Sequence, residues 1–371
     1  MEPITVRGNW FWKDTERFFI KGIHYQLHET VDDNDSKGSS IDVLSASSLP
    51  NLRKDIKLFR TLGVNTIQIS AYDISNEHDK ALDLLEKHGF YVILRILNID
   101  EKGPGGKRTR GIFEKDFEPD FNTQRFYTPT LVLKMLHTIA QTLHHANILA
   151  YEVDASIVSS PNCSKLAECV RAAVRDAKRL LCHLPGARRI PVGVNIGHGS
   201  MLLLQPTYDY FLAGEPAERA DFIASENYAW AGSHSSFQVS GWQNLFEGML
   251  SHLPAPMYFA TYGAAMYSPR TYEETLREGW AIEHGLVEVL EGGRRRPWHS
   301  FWYYRKRLKE VAERRKEEVS TAEVKDFEGW RGLFPTVNQQ GGARAWFATD
   351  QLPQFPRDWD SVLRGLASSD L

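Results

Sequence analysis

Asn147-Ile-Leu-Ala-Tyr-Glu-Val-Asp-Ala-Ser156 is a short apolar run that turns polar at its end and breaks at Ser159-Ser-Pro161. A strand buried on both faces of a parallel sheet reads this way. In an α/β barrel the C-terminal ends of such strands carry the chemistry. Glu152, Asp154 and Ser156 are therefore placed at a candidate rim.

Outward from this run, six others have the same character, at residues 18–26, 65–72, 91–97, 191–196, 220–228 and 256–263. Helical spacing falls between several of them, at 51–62, 76–88, 130–146, 161–184 and 237–250. Gly63 and Gly89 end the first two helices. Alternating strand and helix predicts a parallel sheet with crossover helices. The fold class expected is α/β, a (β/α)8 TIM barrel. Residues 4–19 predict an N-terminal hairpin turning at Lys13-Asp14, and residues 280–289 a shortened eighth unit. A barrel over 1–320 and a C-terminal extension over 321–371 packed on it are the expected parts.

Several function classes are set aside. No Gly-x-Gly-x-x-Gly follows the first strand, which argues against a dinucleotide site. The basic, glycine-rich stretch 102–110 reads as a solvated loop, because it lacks phosphate-loop spacing. Lys and Arg number 44 against 47 Asp and Glu, so charge favours no nucleic-acid partner. Arg294-Arg-Arg296 leads into a helix interleaved with Glu310, Glu313, Glu317 and Glu318, the pattern of a solvated face. No basic-then-apolar leader follows Met1, no run is long enough to span a bilayer, and the last residues carry no anchor-like tail. A cytoplasmic protein with no membrane partner is the expectation, and a secreted chain with its leader removed is the alternative. Cys163, Cys169 and Cys182 are too few and odd in number for a disulfide framework and are expected as buried thiols. No cofactor is expected. Metal ligation is not expected either, since His144 and His145 are neighbours and would diverge from a helix.

Leu62-Gly-Val-Asn-Thr-Ile67, His88-Gly-Phe-Tyr-Val-Ile-Leu94, Glu218-Arg-Ala-Asp-Phe222 and Tyr228-Ala-Trp-Ala-Gly232 are the most specific pieces of a wider likeness. Over about residues 4–265 the chain resembles the fungal β-1,3-glucanosyltransferases, glycoside hydrolase family 72. The resemblance implies a glycosidase-like barrel that cuts a β-1,3-glucan and passes a covalent glycosyl intermediate to another chain. Such a retaining mechanism uses two carboxylates about 5 Å apart. Matched residue by residue, the family's Asn-Glu pair falls on Ala155-Ser156, and its second Glu falls on Thr261. Both carboxylates are absent, and a hydroxyl titrates far too high to stand in for them. Other departures are Gln68 for Arg, Ser70 for Tyr, Arg95 for Asp, Glu226 for Asn, and Ala231 for a cysteine.

Strand alternation sends every second residue inward. In phase with Ser156, it places Glu152, Asp154, Gln68, Ser70, Arg95, Glu226, Tyr228 and Thr261 inside. Arg95 then stands among acids. Either a buried ion pair replaces an older network, or a carboxyl is tuned for proton transfer. Glu226 is the first candidate for a reactive acid, with Arg95 and Tyr228 as catalytic neighbours. Gln68, Asp154, Ser156, His198 and Thr261 are candidate ligand-binding positions. Tyr25, Tyr228, Trp230 and Tyr262 keep family positions and form either an aromatic wall or core packing. His24 and His198 lie at strand ends, where a rim histidine without chemistry is the commoner case.

Three functions are open. The favoured one is a repurposed barrel without transglycosylase activity, a cofactor-free cyclase, isomerase or lyase holding a small-molecule ligand in the barrel mouth, in fungal biosynthesis. The exchanges at Gln68 and Arg95 favour it. The second is a non-catalytic carbohydrate binder or scaffold. The third is residual β-1,3-glucan activity from relocated carboxylates.

Overall fold

A computed structural model describes residues 1–28, 40–97, 122–158, 161–184, 186–197, 201–227, 250–262, 287–289, 294–297, 301–302, 304–310, 324–328, 334–335 and 346–368, with single positions between them. The chain opens with Ile4–Arg7 (β1), Trp10–Lys13 (β2) and Glu16–Phe18 (β3), an antiparallel three-stranded meander. A single hairpin was expected. The second turn arises at Gly8 and the third strand follows Asp14, both at positive φ (55° and 53°), a conformation these residue types tolerate.

The barrel strands are Gly22–His24 (β4), Thr66–Ile69 (β7), Tyr91–Leu97 (β8), Ile148–Asp154 (β9), Val192–Ile196 (β10), Ile223–Asn227 (β11) and Met257–Tyr262 (β12). Between β4 and β7, Leu27–His28 (β5) and Ser40–Ile41 (β6) form a small antiparallel pair. The seven barrel strands are parallel and follow sequence order around the sheet, and β12 comes back against β4. This is the (β/α)8 architecture, with seven parallel strands among the described residues.

The eighth unit differs from expectation. Val287–Val289 (β13) pairs antiparallel with Arg295–Pro297 (β14), not with the barrel. Arg295 explains the placement. Its guanidinium grips the Asp55 carboxylate through Nε at 2.5 Å and a terminal nitrogen at 2.9 Å, with both side chains buried. The basic run is thereby partly internal rather than a free patch.

Helices Leu49–Leu62 (α1), Asp79–Lys87 (α2), Pro129–Thr142 (α3), Ala167–His183 (α4) and Met201–Leu212 (α5) surround the sheet. In α1, Leu52, Ile56, Phe59 and Leu62 form one buried stripe. Burying each such side chain contributes about 1.5–3 kcal/mol. The helix stops at Gly63, whose φ of 81° is left-handed and costs glycine nothing. Pro129 starts α3, and the Thr128 hydroxyl accepts from the Leu131 amide as its cap. Helix α5 was not expected. It is apolar nearly all round and holds Pro206, so its sequence shows no single stripe. No described helix is long and apolar enough to cross a membrane.

Two apolar regions result. Ile67, Val92, Tyr151, Val153 and Val194 face the helices. Tyr91, Ile93, Ala150, Phe222 and Ala224 face the barrel axis and meet Ile4 and Phe11 of the meander. Phe11 lies 5.5 Å from Phe222, and Phe18 lies 5.1 Å from Tyr91. The meander thus closes the N-terminal end of the barrel. Gly193 is part of this seal, because a Cβ there would stand 2.6 Å from the Phe222 ring.

Late segments complete the outer core. Trp346, Ala348, Trp359 and Val362 are buried in it, the last two on helix Trp359–Ser368 (α6). Arg175 of α4 donates to the Pro353 carbonyl at 3.0 Å. None of the three cysteines is in a disulfide. Cys163 and Cys169 are buried as expected, but Cys182 is exposed, because it falls on the outer face of α4 near its end. The glycine-rich stretch 102–110 lies outside the described residues, as does almost all of the expected helix at 237–250.

Candidate functional site

With one end sealed, polar side chains gather at the other. Arg95 follows Ile93 by two on β8 and so faces the axis. Glu152 stands level with it on β9. Glu152 is fully buried. Its Oε2 accepts from Gln68 Nε2 at 2.6 Å, and its Oε1 accepts from the Tyr258 hydroxyl. Arg95 Nε stands 3.7 Å from Glu152, and a terminal nitrogen of Arg95 stands 3.9 Å from Glu226 on β11. Asp154, one step up β9, accepts from the Ser156 amide at 2.9 Å and the Ser156 hydroxyl at 3.0 Å. Strand alternation on β7, β8, β9 and β11 therefore brings Gln68, Arg95, Glu152, Asp154 and Glu226 into one cluster, as their spacing predicted.

The electrostatics follow from burial and neighbours. Burial works against the Arg95 charge, but Asp154, Glu152 and Glu226 outweigh it and hold the guanidinium above its usual range. Burial, reinforced by Glu152, pushes the Tyr258 phenol well up, so it remains a donor. The 3.7 and 3.9 Å separations are ionic contacts, too long for hydrogen bonds. Arg95 Nε accordingly has no hydrogen-bond partner among the described residues, and neither has Nδ2 or Oδ1 of Asn195. Asn195 is wholly buried and level with Asp154. All three atoms are themselves buried, so they belong to the packed interior of the cluster and present no surface to the mouth.

A cavity of about 300 Å³ opens beside this cluster. Gln26, Asp42, Ser70, Tyr72, Asp73, Arg95, Lys134 and Thr138 are among the residues lining it. Ala71, Ile96, Leu97 and Leu131 line it as well, so its walls are about equally polar and apolar.

The other expected positions divide as follows. Tyr25 leaves the mouth: its hydroxyl donates to Asp55 at 2.7 Å, beneath α1, and burial pushes its phenol far up. Of its two readings, the geometry is that of core packing. His24 Nε2 and Ser70 Oγ are hydrogen-bonded at 2.7 Å on the rim. Ser156 is half-buried, with Gly197 so close that a Cβ there would come within 2.6 Å of the Ser156 Cβ. At Thr261 the strand register slips, so that Glu226 stands level with Thr261 and one residue of β12 is left over. Such bulges recur beside active sites, where they re-aim a side chain. The backbone of Tyr262 ends β12, while its side chain, together with His198, Tyr228 and Trp230, lies outside the described residues.

Two contributors escaped the sequence reading. Tyr258 is four residues back from Tyr262 on the same alternation, and Asn195 is the polar inward position between Gly193 and Gly197. Counting by two along β12 and β10 would have found both.

The geometric ground for setting metal ligation aside does not hold. Helix α3 ends at Thr142, so His144 and His145 do not diverge as helical neighbours would. Their rings are 4.1 Å apart, and both reach Asp79.

Comparison with known proteins agrees with the fold. The family profile described as Glucanosyltransferase, glycoside hydrolase family 72, matches residues 1–294. Protein EPD1 of Candida maltosa is 28% identical over 295 residues, covering 79% of this chain and 48% of that protein. The 1,3-beta-glucanosyltransferase gas1 of Schizosaccharomyces pombe is 26% identical over 295 residues, covering 79% and 49%. This chain spans about half the length of the curated relatives it matches. The solved structure of Saccharomyces cerevisiae Gas2p in complex with laminaritriose and laminaritetraose superposes with a TM-score of 0.71 at 22% identity, over 97% of this chain and 78% of that one. A parallel barrel with a polar mouth, and a profile match over most of the chain, have one meaning: the chain belongs to the glucanosyltransferase family, glycoside hydrolase family 72.

Proposed function

We propose that this protein binds β-1,3-glucan chains in its barrel mouth and does not transfer them. The observation that carries the reading is how the mouth divides its polar groups. Its described carboxylates, Glu152, Asp154 and Glu226, each have Arg95, Gln68, Tyr258 or Ser156 beside them. Retaining transfer needs one carboxylate free to attack and another to exchange a proton. The two positions to which the family resemblance assigns those roles hold Ser156 and Thr261. Glu152 is no substitute, since a fully buried and doubly hydrogen-bonded carboxylate meets no sugar.

Binding of a neutral ligand is supported by the charge balance of the mouth. Around Arg95 the acids outnumber the bases, and Asp42 and Asp73 add to them in the adjoining cavity. That balance disfavours phosphorylated or carboxylated ligands. A wall that mixes polar groups with Ile96, Leu97 and Leu131 is compatible with a sugar ring, which carries hydroxyls on its edge and C–H groups on its faces. For these reasons the carbohydrate-binding reading has more support than the small-molecule enzyme anticipated from the exchanges at Gln68 and Arg95. The relatives named 1,3-beta-glucanosyltransferases supply the polymer.

Calorimetric titration with laminaripentaose, paired with chromatography of the same mixture after long incubation, tests the reading. Saturable binding at millimolar concentration or below, with chain lengths unchanged, is expected. Longer or shorter oligosaccharides would overturn the absence of transfer. A flat titration would overturn the ligand.

A further inference from the structure

Away from the mouth, the turn joining α3 to β9 brings two imidazoles onto α2. Asp79 Oδ1 lies 3.0 Å from His145 Nε2 and 3.5 Å from His144 Nε2. The three ligand atoms all fall within 4.8 Å of one another. Two ligands held about 2.1 Å from a tetrahedral ion stand about 3.4 Å apart, so this spacing is that of groups ready to share one.

We propose that Asp79, His144 and His145 form a binding site for a borderline divalent metal ion of the zinc class. Two imidazoles and one carboxylate are the donor set that such ions take, and harder ions such as magnesium prefer oxygen alone. Asp83 supports the assignment independently. Its Oδ1 lies 3.4 Å from His145 Nδ1, on the far side of the ring. His145 Nε2 is hydrogen-bonded to Asp79 at 3.0 Å, and an ion taking that lone pair would leave the ring proton on Nδ1, toward Asp83. His145 is rigid, being 4% exposed, and its carbonyl accepts from Arg188 at 2.9 Å. Asp79 and His144 are 66% and 56% exposed, so an ion reaches the site from solvent and keeps a position for water.

The site lies at the N-terminal side of β9, opposite the end bearing Asp154, so it takes no part in the binding proposed for the mouth. Its consequence is mechanical. An ion would clamp α2 to the α3–β9 turn, adding to the buried hydrogen bond from the Asn147 side chain to the Leu82 carbonyl.

The test uses the full chain and zinc alone. Competition against a chromophoric chelator should give one zinc per chain with micromolar affinity, and zinc should raise the melting temperature. Asp79→Asn and His144→Ala, both at exposed positions, should each weaken binding by tenfold or more and abolish the thermal shift. Asp83→Asn should weaken binding about 10-fold through the orientation of His145. Cys182→Ser, which removes the exposed thiol, should change nothing. Zinc affinity that is unaltered in Asp79→Asn and His144→Ala overturns the assignment, as does a wild-type chain that fails to compete with the chelator.

Discussion

Arg95 is the residue on which the mouth depends. It is the positive group within a knot of three carboxylates, one of them fully buried. Removing one partner of a buried ion pair typically costs about 3–5 kcal/mol, because the survivor keeps its charge without compensation. Arg95→Met should therefore destabilise the protein by about that amount, read as a lower urea midpoint at unchanged slope. A loss near the value for an exposed pair, below about 1 kcal/mol, would mean that water already shields the cluster. At this scale the sequence was legible wherever strand phase alone decided position. Gln68, Arg95, Glu152 and Glu226 followed from counting by two. What phase could not reveal was which partner each group takes. Tyr25 shares a strand end with His24, yet Asp55 draws it under α1. His144 and His145 looked divergent only because α3 was expected to run to residue 146, and it stops at Thr142.

Among elements, the links between neighbouring βα units rest on a few buried acids. Asp55 holds β14 to α1 through Arg295. Asp42 ties the segment after β6 to the start of α2. Its Oδ2 meets His78 Nε2 at 2.8 Å and accepts from Asn76 at 2.9 Å, while its Oδ1 accepts from the Leu44 amide at 3.0 Å. Burial alone would raise this carboxyl, but the hydrogen bonds from His78, Asn76 and Leu44 prevail and hold it below its ordinary 3.8. A folded-state value below the unfolded one means a contribution present above pH 3.8 and lost as pH falls through the lower folded value. Asp42→Asn should thus melt below the wild type at neutral pH, and the gap should narrow under pH 3.8. A gap that is constant with pH would show that the charge contributes nothing. Element type was legible in the strands and in α1, α2, α3 and α4, where apolar spacing was strong. It failed for α5, whose apolar girth and internal proline hide any stripe, and for β13, where a single ion pair with Asp55 overrides the expected barrel pairing.

The molecule as a whole buries its late segments against the helical shell. Trp346 and Trp359 belong to the outer core, and the Phe334 ring lies 4.5 Å from the Arg171 guanidinium. Each large apolar side chain so buried contributes about 1.5–3 kcal/mol. Deleting residues 321–371 should therefore lower the melting temperature sharply and expose apolar surface to a hydrophobic dye. A truncated chain that melts with the intact one would make those residues a separate appendage. Alternation of strand and helix made the architecture legible at this scale. The closure of its lower end did not show, since nothing in residues 4–18 announces where a short meander will dock.

That closure decides what traffic the barrel admits. With Ile4, Phe11 and Phe18 corked into the floor, a polymer cannot be threaded through the axis. It must lie across the rim or dip in a tip and withdraw by the same route. For the glucan binding proposed above, contact is then confined to one end of the barrel, and chain length beyond a few sugar rings should add little to affinity.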